Sequence, residues 1–94
     1  MKKYEKLENT NFELKIELYY KKEGERGYYL SVSPVKREFQ GNIIIESYTA
    51  YSGYKKLILP VKRQSDKGYN LALSESPEWI DIIKDKVLSN IQVN

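Results

Sequence analysis

Two stretches of the chain alternate between apolar and polar side chains. The first runs from Phe12 to Tyr20 and the second from Tyr28 to Val35, and a charged segment with two glycines separates them. A period of two is typical of a strand with one buried face. Pro34 marks the end of the second run, a bulge or an edge position, because proline cannot donate a ladder hydrogen bond. The pattern predicts two strands joined by a loop.

The two predicted strands have one register in which their apolar positions meet. If Tyr20 lies opposite Tyr28, the same face carries two further apolar pairs, Leu18 with Leu30 and Ile16 with Val32. Directly opposed residues of an antiparallel pair share a face. The register therefore predicts a hairpin with one apolar face. On the other face, Tyr19 is expected beside Tyr29, and Lys15 near Ser33.

A second hairpin is predicted farther along the chain. After the polar residues 36–42, a run from Ile43 to Tyr51 is rich in Ile, Tyr and Thr, and Ser52-Gly53 would form a two-residue turn into a run from Tyr54 to Lys62. Both faces are partly apolar, so the pattern does not decide which face points inward. The favoured choice puts the charged Glu46 on the inward face. The expected pairs are Tyr51 with Tyr54, Tyr48 with Leu57 and Ile44 with Val61. The favoured inward set is Tyr48, Ala50, Leu57, Leu59 and Val61.

The C-terminal part has a helical pattern, whereas residues 63–75 are compatible with a turn followed by either a short strand or a helical turn. Ser76 is a suitable N-cap and Pro77 suits the first helical position. The apolar stripe consists of Trp79, Ile80, Ile83, Val87 and Ile91. The predicted fold is α+β, an antiparallel sheet of four to five strands with a C-terminal helix packed on one face. We expect a single domain over residues 1–94, with residues 1–10 a loose N-terminal segment.

Composition and charge narrow the possible functions. The 94 residues include 40% hydrophobic residues, enough for one core, and contain no His and no Cys. These absences exclude His-based triads, disulfides and zinc sites built from thiolates or imidazoles. The net charge is +3, and residues 20–67 carry ten basic and five acidic side chains. This basic middle is compatible with a polyanionic partner and equally with ordinary surface variation.

Carboxylates are the remaining candidates for catalysis or metal binding. Glu78, Asp81 and Asp85 share one face of the predicted helix, where they could hold a cation or simply form its solvated face, with Asp81 and Lys84 spaced for an ion pair. Glu13-Leu14-Lys15 matches a fragment of metal-dependent nucleases, but no Asp precedes it. Ser–Lys pairs fall in predicted turns, and the glycines are scattered. The sequence therefore predicts no enzyme, no catalytic residue, no metal and no cofactor.

Tyrosine is the unusual feature of the composition, with nine among 94 residues, many beside Lys or Arg. Aromatic rings and basic groups on a sheet bind single-stranded nucleic acid, and the same residue types build protein interfaces. Tyrosine is also simply favoured in strands. The candidate surface for binding a nucleic acid or a partner protein consists of Tyr19, Arg26, Tyr29, Tyr51, Tyr54, Lys55 and Lys56.

No stretch has the pattern of a secretory signal or a membrane span. Residues 1–11 are charged throughout, and the longest aliphatic stretch, Leu57 to Val61, is about a quarter of a span. We expect a cytoplasmic protein without a membrane partner.

Three segments carry a resemblance to known proteins: 26–35 (RGYYLSVSPV), 46–55 (ESYTAYSGYK) and 61–65 (VKRQS). Over roughly residues 10–70 the chain resembles small proteins carried on phages, plasmids and conjugative elements of Gram-positive bacteria. Proteins of this type include anti-CRISPR inhibitors of Cas9. Many of those are acidic DNA mimics, from which this basic chain departs. The resemblance therefore implies interference with guide RNA loading, or binding to a Cas9 surface, rather than occupation of the PAM-reading site.

A second likeness is topological. Strands followed by a C-terminal helix, with Arg26-Gly27-Tyr28-Tyr29-Leu30 on the second strand, are similar to the PUR and PC4-like single-stranded nucleic-acid-binding proteins. The expected partner is accordingly a nucleic acid, or a nucleic-acid-handling protein such as Cas9 with its guide RNA. A homodimer is also possible, since an unpaired sheet edge would favour self-association.

Overall fold

The computed structural model describes residues 1–91 as an antiparallel five-stranded sheet with one C-terminal helix packed against it, which confirms the predicted α+β fold. Within residues 1–91, no helix has the length and apolar character that crossing a membrane requires. The elements are β1 (Lys2–Lys6), β2 (Glu13–Lys21), β3 (Gly27–Gln40), β4 (Ile43–Tyr48), β5 (Tyr54–Leu59) and α1 (Asp66–Asn90).

The hairpin of β2 and β3 has the predicted register. Tyr20 lies opposite Tyr28, and the pairs Leu18 with Leu30 and Ile16 with Val32 follow on the same face. This face is covered by α1, and its aliphatic side chains are almost completely buried there. The alternation was a sufficient signal because one face of both strands is core and the other is not.

The sequence predicted a loose N-terminal segment, but in the structure this segment forms the outer strand β1. It pairs antiparallel with β2, with Tyr4 opposite Lys15. The Leu18 N–H also donates a hydrogen bond to the Met1 carbonyl at 2.9 Å. An edge strand can be this polar because its ladder bonds, rather than an apolar face, attach it to the sheet.

The predicted pairing of residues 43–51 with residues 54–62 is wrong. Both β4 and β5 pair with β3 instead, end to end along the edge opposite β2: β5 pairs with residues 28–32 and β4 with residues 35–40. The connecting residues 36–42 are therefore strand and turn. Gly41, at φ +62°, takes the first central position of a two-residue turn, where a positive φ suits glycine. Gly53 instead passes close to β3, since a Cβ there would lie 2.7 Å from the Val32 carbonyl oxygen.

The favoured inward set is also partly wrong. Tyr48 and Ala50 are exposed, and Leu57 lies opposite Tyr29 on the face away from α1. The register shifts between Tyr28 and Tyr29, so β5 carries one extra residue at this point. Ile58 is consequently buried in the core, and Leu59 and Val61 pack against it.

Helix α1 begins well before the predicted start. Ser65 is its N-cap, with Oγ accepting a hydrogen bond from the Gly68 N–H at 2.9 Å. Pro77 lies inside the helix and cannot donate to the carbonyl of Leu73 four residues earlier. The Ser76 hydroxyl donates to that carbonyl instead, at 2.8 Å. Ser76 is thus a substitute donor rather than a cap.

The apolar stripe of α1 faces the sheet as predicted. Four of its five predicted members are buried, Trp79 is half-buried, and Ala72 extends the stripe into the part of the helix that the sequence pattern left open. The helix packs on β2, β3 and β5 but not on β4. The buried members are Ile80, Ile83, Val87 and Ile91.

Candidate functional site

The sheet face away from α1, here called the open face, carries part of the predicted surface. Tyr19 and Tyr29 stack there, with ring centroids 5.9 Å apart and planes 18° apart. The Tyr29 hydroxyl donates to the Glu25 carbonyl at 2.6 Å, and Lys21 Nζ lies 5.4 Å from the Tyr29 centroid. Tyr29 is only 8% exposed, so its ring supports Tyr19 rather than offering a face to a ligand. Burial, with a smaller contribution from Glu17, raises the pKa of Tyr19.

A shallow groove of about 440 Å³ crosses the open face. Tyr19 and Lys55 lie along it, and Tyr51 and Tyr54 contribute to its wall. The groove therefore brings together Tyr19, Tyr51 and Lys55 on the open face, and Tyr54 borders it from the helix side of β5.

The other two predicted residues point elsewhere. Lys56 follows Lys55 in β5 and so faces α1, where its Nζ lies 4.6 Å from the centroid of the Trp79 ring. Tyr54 also reaches the helix, because Lys86 Nζ lies 4.6 Å from its ring centroid. Arg26 is in the loop between β2 and β3, beside Lys62. The predicted surface is thus divided between the open face, the helix side and a loop.

A polar cluster that sequence reasoning missed joins four strands on the open face. Arg37 makes two hydrogen bonds to the Glu13 carboxylate, at 2.7 and 2.9 Å, and its guanidinium carbon lies 3.7 Å from the Tyr4 centroid. Glu46 accepts from Lys15 Nζ at 2.8 Å and from the Tyr4 hydroxyl at 2.6 Å. These contacts tie β3 and β4 to β1 and β2, and they explain the place of Glu46, which had no partner in the predicted pairing.

The charges of this cluster stabilise one another. Hydrogen bonds from Lys15 and then Tyr4 hold the pKa of Glu46 below its ordinary value, and the hydrogen bonds from Arg37 lower the pKa of Glu13. The hydrogen bond to Glu46 raises the pKa of Lys15 in turn. The hydrogen bond to Glu46 also raises the pKa of Tyr4, so the cluster is stabilised with its carboxylates and cations ionised and its tyrosine neutral.

From the cluster outward, β3 and β4 continue as a projection that we call the hairpin arm, residues 36–48, with Arg37 and Glu46 at its base. Its apolar side chains lie on both faces and are exposed, Phe39 to 70% and Tyr48 to 79%. Ile43, Ile44 and Ile45 are exposed as well. The unbroken run of three isoleucines was the signal in the sequence, since a strand that is apolar on both faces normally belongs in an interior.

The two outer edges of the sheet differ in character. β1 carries three lysines in five residues, a common protection against pairing with another strand. β4 pairs with β3 and with no other strand of residues 1–91, and it carries no lysine. Residues flanking a two-residue turn form a hydrogen-bonded pair, so Ile44, Glu46 and Tyr48 direct their N–H and C=O groups to the free edge. This edge is open to another strand.

The acidic face of α1 is exposed, with Glu78, Asp81 and Asp85 all accessible to solvent. In the part of the chain described, 1–91, no three acidic side chains are grouped so as to hold a metal ion. The expected ion pair between Asp81 and Lys84 is not formed, because Lys84 Nζ reaches Glu5 on β1 at 2.7 Å instead.

Comparison with known proteins adds no relative. No protein-family model matches the chain, and neither a curated protein nor a solved structure matches it.

Proposed function

We propose that the protein is a non-catalytic binding protein that acts on nucleic-acid machinery and docks on a protein partner through the hairpin arm. The observation that carries this proposal is the exposure of five large apolar side chains on a projection that α1 leaves uncovered. Exposed apolar patches of this kind mark interaction sites on proteins that otherwise bury such residues.

The size of the patch indicates what the partner must supply. At roughly 200 Å² for a large aromatic side chain, Phe39 and Tyr48 together present about 300 Å². With the three isoleucines the exposed apolar area of the arm is on the order of 500 Å², divided between its two faces, and patches of a few hundred Å² are often functional. Its burial would contribute about 12 kcal/mol at ~25 cal/mol per Å², which is comparable to the cost of association. Further contacts are needed, and the free edge of β4 provides them as backbone hydrogen bonds.

The partner is accordingly a protein that adds an extended strand, with alternating apolar side chains, antiparallel to β4. Charge favours a protein over a nucleic acid at this site. Residues 36–48 contain two basic and two acidic side chains and are neutral overall. A phosphate backbone would gain no net attraction there.

The sequence resemblance to small mobile-element proteins directs the choice of partner. In its most specific form, the proposed function is that of an anti-CRISPR inhibitor whose target is Cas9 or its complex with guide RNA. The alternative of a PUR/PC4-like protein that stacks bases on the open face loses one ring of the predicted surface, because Tyr29 is buried, and the rings that line the groove are those of Tyr19, Tyr48, Tyr51 and Tyr54.

The test compares Ile44→Lys with Ile82→Lys. The two isoleucines are 53% and 48% exposed, but Ile82 lies on α1, away from the arm. Binding of each variant to immobilised Cas9, with and without guide RNA, is measured by surface plasmon resonance after circular dichroism has confirmed the fold. Loss of binding in Ile44→Lys alone supports the proposal.

Equal binding by both variants would exclude the arm as the docking site. Absence of wild-type binding to either form of Cas9 would exclude the anti-CRISPR form of the proposal. A second copy of this chain could also pair with the β4 edge, and analytical ultracentrifugation tests this alternative. A wild-type dimer that dissociates in the Ile44→Lys variant would assign the edge to self-association.

A further inference from the structure

A basic cleft lies at the other end of β3 from the hairpin arm. The loop between β2 and β3 supplies Lys22 and Arg26, and the segment between β5 and α1 supplies Lys62 and Arg63. Tyr20 and Gln64 complete the walls of a cleft of about 420 Å³. Of these residues the sequence analysis had singled out Arg26 alone, because the two segments are far apart in the chain.

The charges of the cleft are not neutralised within the fold. No carboxylate of residues 1–91 lies within ion-pair distance of the four cations, since the ion pairs involve Lys3, Lys15, Lys36, Arg37 and Lys84. Residues 21–26 and 61–67 together carry six basic and three acidic side chains. Their net charge of +3 makes this end of the sheet basic.

The backbone beneath the cleft is held by two tyrosines, of which Tyr28 is buried and Tyr20 is half-buried. The Tyr28 hydroxyl donates to the Ser65 carbonyl at 2.8 Å and accepts from the Ser65 N–H at 3.1 Å. The Tyr20 hydroxyl donates to the Val61 carbonyl at 3.2 Å. Gly27 lets the two segments approach, because a Cβ there would overlap the Leu59 carbonyl oxygen. The segment that carries Lys62 and Arg63 is therefore held at both ends against the sheet.

We infer that this cleft binds the phosphodiester backbone of a single-stranded nucleic acid. The four cations come from two separate segments that line one open cleft, an arrangement that suits a chain of phosphates. Lys and Arg contacts of this type read no sequence, and the Tyr20 ring in the wall can contact a base or sugar. The inference does not depend on the proposed function, because the arm and the cleft lie at opposite ends of β3.

The test is binding of a fluorescein-labelled oligothymidylate, followed by anisotropy at several salt concentrations. Four phosphate contacts predict a slope of about −3 in a plot of log association constant against log salt. The variant Lys62→Gln/Arg63→Gln removes two contacts, so the slope falls to about −1.4 and binding at ~0.1 M salt weakens about 25-fold. Lys22→Gln/Arg26→Gln should behave in the same way.

The matched control is Lys2→Gln/Lys6→Gln, which removes the same charge from exposed positions of β1. Its slope should equal that of the wild type. Absence of wild-type binding at low salt, or equal losses in the cleft and control variants, would overturn the inference. Ile44→Lys should bind the oligonucleotide as the wild type does. This variant therefore distinguishes a wrong inference about the cleft from a wrong proposal about the arm.

Discussion

Replacement of Ser76 by alanine tests how α1 tolerates a proline in its interior. Ser76 is 2% exposed, and its hydroxyl donates a hydrogen bond to the Leu73 carbonyl. This bond replaces the one that a backbone N–H at position 77 would make, because proline has none. Removing it leaves that carbonyl without its donor, at a cost of about 1–2 kcal/mol in the free energy of unfolding. For a domain of this size, each kcal/mol lowers Tm by about 4–8 °C. Thermal unfolding followed by circular dichroism measures the loss.

The explanation requires the loss to depend on Pro77. In a Pro77→Ala background the restored backbone N–H at this position can bond to the Leu73 carbonyl, so Ser76→Ala should cost less than half as much. Ser74 provides the control, because its hydroxyl also donates to a carbonyl three residues earlier, Leu71, at 2.7 Å, in a turn without proline. Ser74→Ala should change stability by less than about 0.5 kcal/mol. An equal cost of Ser76→Ala in both backgrounds would refute the substitute-donor role.

Two further predictions concern the sheet. Because the folded-state pKa of Glu46 is lowered, its contribution to stability is present above the ordinary carboxyl pKa and disappears as pH falls through the folded value. Glu46→Gln should therefore cost about 1 kcal/mol near pH 7 in urea unfolding, and this cost should shrink as pH falls below the ordinary carboxyl pKa, whereas Glu38→Gln, at an exposed position of the arm, should cost little at any pH; a loss that does not change with pH would contradict this. Gly27→Ala should destabilise more than Gly41→Ala, because position 27 combines φ +148° with a Cβ that would meet backbone, whereas Gly41, at φ +62°, lies in open space and should cost about 1 kcal/mol; the reverse order in the same assay would show that neither feature requires glycine at position 27.

The sequence predicted the parts of the fold in which one pattern dominates. The register of β2 and β3 followed from alternation, because Leu18 and Leu30 are core on both strands. The partner of β4 did not follow, because Ser52-Gly53 and Gly41-Asn42 are both plausible two-residue turns and long-range contacts decide between them. Pro77 suggested a helix start because proline lacks the N–H that a helix interior needs. The Ser76 hydroxyl makes the missing hydrogen bond, so the helix continues through this position.

The candidate surface was predicted in part for similar reasons. Tyr19 and Tyr29 were placed together by the register, and the structure stacks them. Lys55 and Lys56 were grouped although consecutive strand residues point to opposite faces, so this error could have been avoided from sequence alone. The basic cleft joins segments more than 30 residues apart, and only the tertiary fold places Lys22 beside Lys62.

The shared strand β3 has a consequence for how this protein can diversify. Its first half belongs to the core, and its second half, with β4, extends beyond the helix and is anchored by the Arg37 and Glu46 contacts at its base. Adding two residues to each strand of the arm would carry its turn outward by about 7 Å and keep every side chain on its face, while leaving the core untouched. Adding one residue to each would exchange the two faces. The reach of the arm can thus change in steps of residue pairs, independently of the stability of the body that carries it.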